Sequence, residues 1–146
     1  MRNATNLIGK ADDRVIGVYL LFSGDTSGQI LLAFTPQTAF ELIDMAMGVE
    51  PGTTNSLGEM ERSVLGEMGN IVGTFFLNGV ADCVGLRLMP SPPVVVEDMA
   101  GAVIGSMLAE AFNKNESSFV IKLLFSSVKK EMEGRLLVLP SFSLAA

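Results

Sequence analysis

Two stretches of the chain share one pattern of apolar and polar positions. Leu20-Leu21-Phe22-Ser23 leads into a polar tip and then into Gly28-Gln29-Ile30-Leu31-Leu32 and Pro36. Leu123-Leu124-Phe125-Ser126 leads into a longer charged tip and then into Gly134-Arg135-Leu136-Leu137-Val138 and Pro140. Each reads as a β-hairpin: an apolar run rich in strand formers, a tip of Gly, Asp, Ser, Lys or Glu, and a second run closed by proline, which cannot donate to a ladder. Their similarity points to a duplicated unit.

Between the hairpins the period changes. Pro36 opens a segment with Ala39, Phe40, Leu42, Ile43, Met45, Ala46 and Met47, and Gly48 closes it, which predicts a short helix with proline at its start and glycine past its end. Residues 50–55 are a polar linker. A long helix is predicted from about residue 56 to 79 or beyond, with Ser56-Leu57-Gly58-Glu59 in the form of a capping box. Residues 86–88 read as a strand and Pro90-Ser91-Pro92-Pro93 as an irregular connection. Asp98 is a candidate cap for a helix over 99–112 with Ala100, Val103, Ile104, Met107, Leu108 and Ala111 on its apolar side. The order of hairpin, helices and hairpin predicts an α+β fold, an antiparallel sheet built from two related hairpins and backed by helices, in a single domain over 1–146.

Composition narrows the chemistry. With 146 residues and 49% hydrophobic content the chain can build a core without metal or disulfide support. One cysteine, Cys83, cannot form an internal disulfide, which suggests a reducing, cytoplasmic compartment. The absence of histidine removes Ser-His-Asp and Cys-His machinery and imidazole-ligated zinc. A net charge of -6 argues against nucleic acid or an anionic membrane as partner. Residues 1–13 lack the form of a signal peptide, and the best candidate for a spanning segment, 71–89, is interrupted by Asn78, Asp82 and Arg87. Cys83 is followed six residues later by Met89, not by the arginine of a Cys-based phosphatase. Gly9-Lys10 precedes Ala11, so no P-loop is present. Asp12-Asp13 and Glu97-Asp98 are better explained by terminus charge and capping than by a metal, and no metal site on this chain is expected.

The long helix carries the one constellation left. At about 100° per residue, Ser63, Glu67, Asn70 and Thr74 fall within roughly 60° of one another, while Val64, Met68, Ile71, Val72 and Phe75 lie opposite or to one side. Gly66, Gly69 and Gly73 interrupt the same stretch, each costing about 1 kcal/mol relative to alanine. Close helix packing is one reason for them, and approach of a partner to Asn70 is another. By itself a Glu-x-x-Asn stripe is most simply a solvated face.

In its context, Ser63-Val64-Leu65-Gly66-Glu67-Met68-Gly69-Asn70 followed by Pro90-Ser91-Pro92-Pro93 and Asp98-Met99-Ala100-Gly101-Ala102, the chain resembles the CheC/CheX/FliY family of chemotaxis phosphatases, which act on the phosphorylated response regulator CheY. The family pattern is Asp or Ser, three residues, Glu, two residues, Asn, and a later Pro; Ser63, Glu67, Asn70 and Pro90 match it. The resemblance covers roughly 15–140 and is nearest to CheC. It implies a phosphatase in which Asn70 holds a water in line with an aspartyl phosphate, an amide being both acceptor and donor, while Glu67 pairs with a cationic side chain of the response regulator. Ser63 and Thr74 would line the contact. No cofactor is implied on this chain; the divalent cation belongs to the response regulator. CheC-type proteins commonly carry two such helices and a final helix, so this looks like a one-site, shortened form, and a homodimer is expected to cover the apolar surface left open. Two other readings remain: a non-catalytic module docking the receptor deamidase CheD or belonging to the flagellar switch, and an α+β ligand-binding domain whose stripe is only surface.

Overall fold

The computed structural model describes residues 8–110, 119–126 and 131–140. Within them the first hairpin is β1 (Arg14–Gly24) and β2 (Gly28–Phe34), and the second is β5 (Phe119–Ser126) and β6 (Glu131–Pro140). With a short strand β3 (Leu88–Pro90), the strands assemble in the order β3-β1-β2-β6-β5, with every pairing antiparallel. Each hairpin therefore contributes its second strand to the centre, where Leu31 pairs with Leu137. The two hairpins are not in the same register. Gly28 stands opposite Phe22, the third residue of its Leu-Leu-Phe-Ser run, whereas Gly134 stands opposite Leu123, the first of its own. That two-residue offset follows the longer second tip, and being even it leaves every side chain on its proper face.

Both faces of the sheet are covered. Ile16, Val18, Leu20 and Phe22 of β1 point with Ile30, Leu32 and Phe34 of β2 toward α1 (Pro36–Met47) and α2 (Glu59–Val84). The alternate residues Val15, Leu31, Ala33, Leu137 and Leu139 meet Ala100, Val103, Ile104 and Met107 of α3 (Ala100–Glu110). β2 is buried along its whole length, which is why it reads as a continuous apolar run. Its one polar residue, Gln29, is satisfied: its amide donates to the Met107 carbonyl at 2.9 Å and accepts from the Tyr19 hydroxyl at 2.7 Å.

The helix ends correct several expectations. α1 begins as predicted, with Thr35 accepting the Thr38 N–H at 3.2 Å and Gly48 left-handed at its end. In α2 the cap is not Ser56 but Gly58, whose N–H donates to the Glu61 carboxylate at 2.9 Å. Asp98 does not cap α3, because it belongs to a strand, β4 (Val94–Met99), which pairs with β1 and which local pattern does not distinguish from the connection before it. The first N–H groups of α3 are instead taken by the carbonyls of Asp13 and Ala11. The short strand is β3 (Leu88–Pro90), two residues later than predicted. Residues 1–7, the 127–130 part of the second tip, and Ala111 and Phe112 of the predicted helix lie outside the described residues. Among the described residues no helix is long and apolar enough to cross a membrane.

Candidate functional site

α2 crosses β1 through its glycines. A methyl group on Gly69 would run into the Val18 isopropyl group, and one on Gly73 would meet Leu20 Cδ1 at 3.3 Å. Gly66 is less tightly placed, with Pro93 Cγ and Val95 Cγ2 each 3.7 Å from such a methyl. These glycines are buried with Leu65 and Leu77, so they serve close helix–sheet packing and do not open a path to Asn70. That settles the helix's rotation. The face opposite the glycines is turned outward, and the predicted stripe runs along the border between that face and the buried one.

Ser63 and Glu67 are exposed, and Asn70 and Thr74 are half-buried on the same side of α2. The structure thus brings all four candidate residues together on one rigid element. Among the described residues no hydrogen bond or ion pair engages the Glu67 carboxylate or the Asn70 side-chain amide. Glu67 stands on the rim of an open groove whose other walls include Glu59, Arg62, Pro93 and Val95. There two carboxylates face one guanidinium, and that guanidinium is held by the Val95 carbonyl, 3.2 Å from Arg62 Nη1. The groove is therefore suited to a cationic group from outside. The Pro-Ser-Pro-Pro stretch builds its far wall: the Ser91 N–H donates to the Leu21 carbonyl at 2.8 Å and Ser91 Oγ accepts the Leu21 N–H at 2.9 Å, fixing Pro93 against Gly66.

Two residues on this face carry a message that the sequence pattern alone does not. Ile71 and Phe75 are not packed against the sheet; they stand in solvent beside the stripe, Phe75 at 82% exposure. The available signal was the glycine spacing at positions 66, 69 and 73, which marks the buried side and so the outer one. Among the described residues no three His, Cys, Asp or Glu side chains are grouped to hold a metal ion.

The arrangement has relatives. The family of chemotaxis phosphatase CheX matches residues 16–123. The CheY-P phosphatase CheC of Bacillus subtilis (strain 168) is 31% identical over 141 residues, an alignment spanning 94% of this chain and 68% of that protein. The fold is that of Thermotoga maritima FliY, with a TM-score of 0.70 at 16% identity over 86% of this chain, and of the Borrelia burgdorferi CheX solved in complex with CheY, BeF3 and Mg2+, with a TM-score of 0.55 at 16% identity over 92% of it. The chain corresponds to 65% of the FliY chain and 80% of that CheX chain, so it spans about two thirds of the FliY length. On the family match and the CheC identity together, this chain belongs to the CheC/CheX family of chemotaxis phosphatases.

Proposed function

We propose that this protein hydrolyses the aspartyl phosphate of a CheY-like response regulator, with Asn70 positioning the attacking water. The observation that carries the reading is the pairing of a Glu67 carboxylate and an Asn70 amide, neither engaged among the described residues, on one side of a single helix, three residues apart. Side chains at that spacing reach the same pocket of a partner. An aspartyl phosphate is an activated acyl phosphate whose own protein supplies the divalent cation and lysine that neutralise the transferred charge. What remains to be supplied is a water held in line, and an amide does this by accepting one water hydrogen through Oδ1 while its NH2 faces the phosphoryl oxygens. Water attacks phosphorus, the bond to the aspartyl oxygen breaks, and inorganic phosphate leaves. No covalent intermediate forms on this chain. Glu67 pairs with a receiver ammonium, which fixes Asn70 over the phosphoryl group, and Ser63 and Thr74 border the contact. The divalent cation comes with the substrate. The active unit is a homodimer joined away from α2.

Following phosphate release from a phosphorylated CheY-like receiver tests this directly. Asn70→Ala is expected to lower stimulated release by about 10². Glu67→Ala is expected to weaken binding as well as turnover, with the larger deficit at low salt, where exposed charges are least screened. Release unaffected by Asn70→Ala removes the proposed mechanism.

A further inference from the structure

We infer that Ile71 and Phe75 are the apolar anchor by which this protein seats its receiver partner, and that the partner presents an apolar rim beside its phosphorylation pocket. The inference rests on reading Glu67 and Asn70 as the phosphatase site. Ile71 is 60% and Phe75 82% exposed, in a helix whose Leu65 and Leu77 are fully packed. A single exposed apolar residue is ordinary. These two are one turn apart, so their side chains are neighbours and form a continuous ridge.

The ridge cannot be separated from the site. Glu67, Ile71 and Phe75 follow one another at intervals of four residues, and Phe75 lies only about 12 Å along the axis from Glu67. A protein interface of ordinary size covers about 800 Å² on each partner, far more than that row. A surface of that size seated on Glu67 and spreading along the outer face of α2 meets Ile71 and Phe75 too, and a second copy of this chain seated there would block the site. Exposed aromatic residues bordered by polar ones, as Phe75 is by Thr74 and Asn78, are the usual form of an energetic anchor. An anchor of this kind is also what the charge requires. At -6 the protein gains nothing from long-range attraction to a partner that is itself acidic, so local apolar contact adds affinity to that of the Glu67 pair.

The test separates affinity from chemistry. With a CheY-like receiver phosphorylated by a small phosphodonor, Phe75→Ala is expected to raise KM about tenfold with kcat within twofold of wild type, and Phe75→Leu to restore most of the loss. Against the same receiver carrying BeF3 and Mg2+ as the acyl-phosphate mimic, Phe75→Ala should bind about tenfold more weakly. Circular dichroism confirms that α2 persists in both variants. Unchanged KM and affinity in Phe75→Ala, beside an active wild type, overturns the anchor and leaves the phosphatase reading standing. Unchanged KM with loss of a wild-type dimer assigns the ridge to a second copy and also overturns it. A wild type that neither binds nor dephosphorylates the receiver overturns both.

Discussion

Gly69 and Gly79 lie in the same helix and make the same demand on it, yet they differ in what a side chain would meet. Both cost α2 about 1 kcal/mol of helix propensity relative to alanine. At Gly79 no atom of the described residues outside the helix's own backbone lies within 4 Å of an added methyl, so Gly79→Ala should stabilise the fold by about 0.5–1 kcal/mol. At Gly69 the methyl has to displace the fully buried Val18 of β1, an overpacking cost of about 1–3 kcal/mol that exceeds the propensity gain. Gly69→Ala should therefore destabilise, and the paired urea midpoints should move in opposite directions. Midpoints moving the same way would show that packing against β1 does not fix the pose of α2. The glycines and two candidate purposes for them, packing and partner approach, were visible in the sequence, but not which of the two they serve. Whether a helical glycine faces a strand or a partner depends on the residue across the contact, here Val18 and Leu20, some fifty residues away in the chain.

At the scale of elements, what local chemistry encodes was legible and what the fold supplies from a distance was not. α1 carries its own Pro36 and Gly48 punctuation, and its bounds follow from it. The hairpins carry their own tips. β4 carries no such mark, since Val94–Met99 becomes a strand only by pairing with Arg14–Tyr19 of β1, and Asp98 loses its expected capping role because backbone carbonyls from Ala11 and Asp13 do that work. The loop after α1 shows the converse, a local device with a measurable pH signature. Burial would raise the Asp44 carboxyl, but hydrogen bonds from the Thr54 hydroxyl and the N–H groups of Thr54, Gly52 and Thr53 outweigh it and hold the group below its ordinary value. A carboxyl held lower in the folded state than in the unfolded one, where it titrates near 3.9, stabilises the protein above that pH. The contribution is lost as pH falls through the folded value. Asp44→Asn should thus cost about 1–3 kcal/mol at pH 7, with the deficit shrinking toward pH 3. Urea unfolding of both proteins across that range checks it, and an equal gap at both ends would deny the carboxylate its role.

For the whole molecule the two faces of the sheet are unequal. α1 and α2 cover one face, and the site stands on the outside of that layer. Among the described residues the one helix on the other face is α3, eleven residues long, beside which a cleft of about 610 Å³ opens between Tyr19, Leu21, Val96 and Met107. The register places Leu21, Met89, Val94 and Leu124 on this same face, and their exposures run from 48% to 69%. Apolar side chains spread over one face at such exposure mark an association surface more than a solvated one. A two-fold pair joined there leaves Glu67, Asn70, Ile71 and Phe75 free on both outer sides, so dimerisation and receiver binding do not compete. Light scattering at micromolar concentration should accordingly give twice the 15.5 kDa mass of one chain. Met89→Glu combined with Val94→Glu should return it to one chain while stimulated phosphate release continues at the Asn70 site. A stable wild-type monomer would remove the dimer, and a dimer untouched by the two glutamates would move its interface off the α3 face. If that interface then mapped to α2, the proposed site would be closed in the assembled protein, and activity should rise on dilution.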